Sequence, residues 1–350
     1  MIPQMERYEL IRLIGEGSMG VVYLARDRIL NREVAIKALR PPSTTDPSRR
    51  EHLKERFIRE ARIVANLRHP NIVTLYDAEI QKNFCWLIME FVPGETLETW
   101  MQKRKDQNTL RKVTLQILSA LEYAHKKGVI HRDLKPGNIL ISSGKVKITD
   151  FGIARPEESD LTGENQLLGS PSYMAPEQIR GEKVGPYTDL YALGVILYRW
   201  LTGRKPFENP SIPELFHAIL SQPHPPPSSI NPEIFPEWDQ FFEKVLAKEP
   251  QMRVSSADRF RELFLATLNH PSPTPVQPQP VSNGKEESPS FIVEPPTLTD
   301  KTFHKIKMEW LSRRKAISKI SRSPWKKRTV LSLILTLSVV FSIFLYFLLH

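Results

Sequence analysis

The stretch that most constrains this chain runs from His131 to Gly152 and reads HRDLKPGNILISSGKVKITDFG. It gathers two carboxylates, an amide and several basic residues into one short region. Asp133 can orient a hydroxyl nucleophile and accept its proton. Lys135, two residues on, falls on the same side of an extended loop and can neutralise a phosphoryl group in transfer. Asn138 and Asp150 offer the oxygen ligands that Mg2+ prefers. Between them, ILISSGKVKI predicts two short strands around a Ser-Ser-Gly turn, a hairpin that returns Asp150 to the end where Asn138 sits. Phosphoryl transfer asks a protein mostly for positioning and charge neutralisation, and these residue types supply both.

Upstream, YELIRLIG, GVVYLARD and REVAIKAL read as strands, and the first turn carries Gly15, Gly17 and Gly20 in GEGSMGVV. Glycines let a backbone approach phosphates and adopt positive φ. A glycine turn between two strands, rather than between strand and helix, disfavours a dinucleotide-binding fingerprint. Lys37 follows Val34-Ala35-Ile36, seventeen residues after Gly20; an isolated lysine would read as a surface charge, but this one has apolar neighbours. Glycine-rich turn, VAIK, HRDLKPGN and DFG, in this order and at this spacing, resemble the eukaryotic-type (Hanks-type) serine/threonine protein kinases. The single-pass plan resembles their bacterial receptor-like branch. The resemblance covers about Tyr8 to Leu268.

It implies an α+β, bilobal protein kinase fold, with a β-rich N-lobe over about 8–92 and a helical C-lobe over about 93–268, within a domain of residues 1–270. It also implies ATP as phosphoryl donor with Mg2+, for which Mn2+ can substitute, and protein substrates with Ser or Thr acceptors. By the same resemblance Asp133 and Lys135 are catalytic, and Asn138 and Asp150 hold the metal. Gly15, Glu16, Gly17, Ser18, Gly20, Val22, Ala35, Lys37, Glu60, Met89, Glu90, Val92 and Leu140 line the nucleotide. Lys37 positions the α- and β-phosphates and pairs with Glu60. Met89, in MEFVPGETL, is the gatekeeper, and the backbone of Glu90 and Val92 hydrogen-bonds adenine.

Residues 153–168 resemble an activation segment. Thr162, seven residues before Gly169, resembles an activating phosphothreonine, with Arg56, Arg132 and Arg155 as receivers of its phosphate. Without the resemblance, Arg56 and Arg155 read as ordinary exposed charges. Glu164 could mimic part of a phosphate. GSPSYMAPE, Gly169 to Glu177, resembles a peptide-docking segment, with Ser170 where threonine is usual. Asp189 and Gly194 match a buried helix that anchors the HRD region, and Arg253 matches the partner of Glu177.

Periodicity predicts helices over Arg50–Leu67 and, in one piece, over Leu97–Lys127, the latter closed by Gly128. IVTLYDAEI and FCWLIMEFV read as strands. Cys85, in the second, reads as a small buried hydrophobe and is the single cysteine, which excludes a disulfide framework within the chain and fits a reducing compartment. Residues 211–268 complete a helical region, with PHPPPSSINP as a connecting loop.

The net charge of +10 would suggest nucleic acid, but residues 301–328 hold eleven Lys/Arg and one acid, so they account for all of it. A basic block directly before an apolar run points to a membrane surface instead. Residues 271–300, with eight prolines, read as a disordered linker. Phe303, Ile306, Trp310, Ile317 and Ile320 fall on one helical face, which suits either the membrane interface or packing against the folded domain. Residues 329–349 form an uncharged run of twenty-one, which as a transmembrane helix would span ~30 Å. The basic flank places the N-terminal domain in the cytoplasm and the C-terminus outside the plasma (inner) membrane. No signal peptide is read at the N-terminus.

The expectation is a membrane-anchored serine/threonine protein kinase that phosphorylates its own activation loop, with a homodimer as a further implication. A membrane scaffold built on an inactive kinase fold is the rival, although Lys37, Asp133, Asn138 and Asp150 are all present. GSPSYMAPE disfavours a small-molecule kinase.

Overall fold

A computed structural model describes residues 6–17, 20–39, 47–81, 84–103, 106–151 and 171–269. All lie in one unit, residues 1–275; a second, residues 276–350, lies outside the described residues, as do Ser18, Arg155, Thr162, Glu164 and Ser170. The predicted linker, basic segment and transmembrane run lie outside them too. Among the described residues no helix is long and apolar enough to cross a membrane.

The N-terminal part is an antiparallel sheet of β1 (Tyr8–Gly17), β2 (Gly20–Asp27), β3 (Arg32–Leu39), β4 (Leu75–Gln81) and β5 (Phe84–Glu90), in the order β1-β2-β3-β5-β4. β3 is central because its run from Val34 to Leu39 is buried throughout. Gly15 and Gly17 belong to β1 and pair with Val22 and Gly20 of β2, so the glycine motif is a hairpin more than a loop. Gly20 has φ 151°, and a Cβ there would come within 2.0 Å of the Ala38 carbonyl oxygen. Close approach of β2 to β3 thus excludes any other residue. α1 (Pro47–Ala65) starts earlier than the periodicity predicts and packs Phe57, Ala61 and Val64 into the core.

The second part begins with β6 (Glu95–Thr96), then α2 (Leu97–Lys103) and α3 (Gln107–Lys126). The single helix expected over Leu97–Lys127 is therefore two. The cause is Asp106, whose carboxylate accepts from the Thr109 N–H at 2.8 Å and starts a new helix as its N-cap. β7 (Ile139–Ser142) and β8 (Lys145–Ile148) form the predicted hairpin. Its two-residue turn uses Ser143 (φ 48°) and Gly144 (φ 77°), the positive pair that matches strand twist. Then follow α4 (Pro176–Arg180), α5 (Pro186–Thr202), α6 (Ile212–Ser221), α7 (Pro227–Ile230), α8 (Glu237–Val245) and α9 (Ala257–Leu268). α7 lies inside the segment read as a connecting loop.

α5 is the buried centre of this part. Gly194 lets α8 close in, since a Cβ there would meet Val245 Cγ1 at 2.3 Å. Burying Asp189 on so apolar a helix would be costly without partners. Its carboxylate accepts from the backbone N–H of His131 (2.8 Å) and Arg132 (2.9 Å), and meets His125 Nε2 at 2.8 Å. Arg253 and Glu177, both fully buried, pair through two hydrogen bonds of 2.9 and 2.7 Å, as expected.

Among the described residues, two backbone seams join the sheet to the helical part. One is the strand exit through residues 91–94. In the other, Val73 N–H donates to the Ile148 carbonyl and Ile148 N–H to that of Asn71, both at 2.8 Å. The Asn71 amide adds bonds to Gln116 and to the Val146 carbonyl, and Lys147 pairs with Glu90 at 2.8 Å.

Two tests follow from this packing. Asp189→Asn leaves one amide oxygen where three donors converge, and should cost about 1–3 kcal/mol in denaturant unfolding of the chain. Arg261, then Lys126, hold the Glu122 carboxyl down to about 2 from 4.5. A lowered folded-state pKa means that this stabilisation is complete above about pH 4.5 and is lost as pH falls towards about 2. Glu122→Gln should therefore flatten the fall in unfolding midpoint across that window.

Candidate active site

The loop from His131 to Asn138 leaves α3 through Gly128 (φ 74°) and enters β7 through a short helical turn, Pro136–Asn138. Arg132 takes φ 65°, a conformation that costs a non-glycine residue of order 1–3 kcal/mol. The two N–H groups that Asp189 holds are those of Arg132 and its neighbour His131, so α5 fixes the strained turn from below. Gln178, in the middle of α4, donates to the Arg132 carbonyl at 2.8 Å from above.

The buried ring of His131 ties this loop to the segment after β8. Its Nδ1 accepts from the Asp133 N–H at 3.2 Å, and its Nε2 donates to the Thr149 carbonyl at 2.9 Å. Phe151 packs on the same ring, centroids 4.6 Å apart. Asp150, between them, takes φ 63° and so turns out of line with its neighbours.

With the backbone fixed, the polar side chains converge. Lys135 Nζ lies 2.8 Å from Asp133 Oδ2. The Asn138 amide nitrogen donates to the Asp133 carbonyl at 2.9 Å and to Asp133 Oδ2 at 3.2 Å. That orientation fixes which end of the amide is spent and leaves its oxygen as the end available to a cation. Asn138 and Asp150 are held at one end of the hairpin, because the Asn138 carbonyl accepts from the Thr149 N–H at 2.9 Å. An amide oxygen and a carboxylate are a hard donor set, and they fit Mg2+, which takes few protein ligands and completes its shell with water and phosphate.

Lys37 departs from the expected pairing. Its ion pair is with Asp150 Oδ1 at 2.7 Å, instead of with Glu60. Glu60 is half-buried on α1, and the nearer carboxylate for a lysine in the centre of β3 is the one that the left-handed turn at Asp150 delivers. Lys37, Met89, Asp150 and Phe151 line one pocket together with Val64 and Leu87. Met89 pairs with Ala35 across the sheet, and Val22 with Lys37. Glu90 donates its N–H to the Thr74 carbonyl and pairs with Val34 across the sheet. Val92 is half-buried beyond it, and Leu140 pairs with Lys147 in the hairpin below. Glu16 is exposed near the hairpin end of β1.

His131 as a strut, Gln178, His125 and the Glu90–Lys147 pair were not among the sequence candidates. Only His131 had a signal, its place in HRD; the others depend on contacts between residues 46 to 64 positions apart.

Comparison with known proteins agrees with this geometry. Residues 8–265 match the protein kinase domain family. The probable serine/threonine-protein kinase PknB of Bifidobacterium longum is 35% identical over 86% of this chain and 46% of its own length. The serine/threonine-protein kinase PrkC of Bacillus subtilis is 39% identical over 72% of this chain and 39% of its own. This chain thus spans less than half the length of these relatives. The crystal structure of the Mycobacterium tuberculosis PknI kinase domain superposes with a TM-score of 0.59 at 28% identity, covering 76% of this chain and 97% of that one. On the family match and these likenesses, the chain belongs to the eukaryotic-type serine/threonine protein kinases.

Proposed function

We propose that this protein transfers the γ-phosphoryl group of ATP to Ser or Thr hydroxyls of protein substrates. The observation that carries the reading is the contact set of Asp133, Lys135 and Asn138, held by Asp189 and His131 opposite the Lys37–Asp150 pair. Asp133 orients the acceptor hydroxyl and takes its proton as that oxygen bonds to the γ-phosphorus and the bond to the β-phosphate oxygen breaks. Lys135 neutralises the transferring group, and Lys37 positions the α- and β-phosphates. Asn138 and Asp150 would hold Mg2+, which supplies charge neutralisation on the phosphate oxygens. The glycine hairpin through Gly15, Gly17 and Gly20, with Val22, Ala35, Met89 and Leu140, would enclose the nucleotide. The Glu90 carbonyl and the Val92 N–H would meet adenine.

The domain would occupy residues 1–270, followed by a linker, a basic segment and a membrane-spanning helix over 329–349. That arrangement puts the kinase on the cytoplasmic face, supported by the uncharged run of twenty-one residues and the basic block before it. Thr162 would be phosphorylated by the enzyme itself, in trans within a homodimer, and Arg132 would receive the phosphate together with Arg56 and Arg155. The second reading, an inactive nucleotide-binding scaffold, is opposed by the complete set of charged residues.

Two experiments test this reading. With labelled ATP and Mg2+, the full chain in vesicles should label Ser and Thr of a generic protein substrate, and Asp133→Asn should lose at least about a hundredfold in rate, the scale of a general base. Equal incorporation by both, or none with nucleotide still bound, would favour the scaffold. Deleting 329–349 should move the protein from floated vesicles to the soluble fraction, and a deletion variant that still floats would refute the anchor.

A further inference from the structure

Behind the catalytic loop, the segment Pro171–Glu177 carries an unusually placed cation. Lys205, half-buried after α5, sends its Nζ to Ser172 Oγ at 3.2 Å and lies over the Tyr173 ring, 5.7 Å from the centroid. Tyr173 is buried, and its hydroxyl accepts from Arg199 at 2.8 Å. The neighbouring cations on this face already have carboxylates. Arg199 makes two bonds to Glu98, and Arg180 pairs with Glu249 at 3.0 Å. The Lys205 ammonium has a hydroxyl and an aromatic face, and the nearby Glu208 carboxylate accepts from the Lys205 backbone N–H at 3.2 Å, with no ion pair to the ammonium among the described residues. An ammonium group has three donors, and the serine hydroxyl takes one, which leaves the others for a ligand.

The position of this cation relative to the reaction follows from one amide. Gln178 accepts from the Ala175 N–H at 3.1 Å and donates to the Arg132 carbonyl at 2.8 Å, which pins residue 175 beside the catalytic loop. Ser172 is three residues from Ala175, so chain geometry puts it within ~20 Å of Asp133. An extended peptide covers that distance in about six residues. A substrate whose hydroxyl rests at Asp133 therefore has a flanking residue within reach of Lys205.

We propose that Lys205, held by Ser172 and Tyr173, selects acceptor sequences with an Asp or Glu carboxylate at one fixed position within about six residues of the phosphorylated hydroxyl. The inference rests on the phosphoryl-transfer reading above and names the substrate class of that same site. The lysine acts by pairing with the peptide's carboxylate and takes no part in the proton or phosphoryl movements. Because the pair lies at a partly solvated surface, its effect is modest, about two- to fivefold in kcat/KM.

The test uses the full chain in vesicles and a set of serine peptides in which Glu, Gln or Lys is scanned through each flanking position. Wild type should favour Glu over Gln at one position. Lys205→Glu should reverse that order and favour Lys there, and Lys205→Gln should abolish the discrimination. The readout is the ratio of kcat/KM between peptides, which a general loss of rate or fold does not move. A Glu preference that survives in both variants, or no Glu preference at any position in an active wild type, overturns the proposal. Absence of labelling on every peptide, equal to that of Asp133→Asn, would instead count against the phosphoryl-transfer reading itself.

Discussion

The buried carboxylate of Asp189 is the point on which the site depends. A buried charge in the first turn of an apolar helix is tolerated only when donors surround it, and the donors here include the backbone of the loop that carries Asp133. The hydrophobic centre of the helical part and the polar geometry of the site are therefore solved by the same residue. α5 cannot bury its first turn without the loop in place, and the loop cannot keep Arg132 in its left-handed turn without α5.

From that anchor the constraints spread in two directions. His131 carries them sideways, since its two ring nitrogens bind Asp133 and Thr149 and so couple the loop to the segment holding Asp150. Gln178 and the Glu177–Arg253 pair carry them to α4 and the docking segment. Across the other side, Asn71 and the Glu90–Lys147 pair tie the sheet to the β7–β8 hairpin. Among the described residues the sheet is thus attached at the strand exit, at this second seam and through the Lys37–Asp150 pair, and a rotation about the strand exit alone would have to break the other two.

Much of this was legible in the residues. The β7–β8 hairpin followed from Ser143-Gly144 between two apolar runs, and the strands β1 to β3 from their alternation and length. That Asp133 and Lys135 share one side of the loop, and that Asn138 and Asp150 share one end of the hairpin, followed from their spacing. What was not legible depended on competition between local and distant partners. Periodicity ran straight through Asp106, yet one side-chain hydrogen bond to Thr109 outweighed it and split the helix. Lys37 was expected to pair with Glu60, and its ion pair is instead with Asp150, which a left-handed turn that no propensity marks brings to it. Gly20 was read as room for a phosphate, and its nearest constraint is the carbonyl of Ala38.

The ion pairs within the site carry a further consequence. Lys37 rests on Asp150 and Lys135 on Asp133, so each cation already has an anion of its own. Under the proposed chemistry, ligand entry is an exchange of partners more than the filling of a vacancy. A phosphate that draws Lys37 away strands Asp150 unless a divalent cation arrives with it, and a cation alone takes from Lys37 the carboxylate it rests on. Nucleotide and metal each remove the obstacle to the other, so the resting pair couples the two bindings before any motion of the lobes is considered.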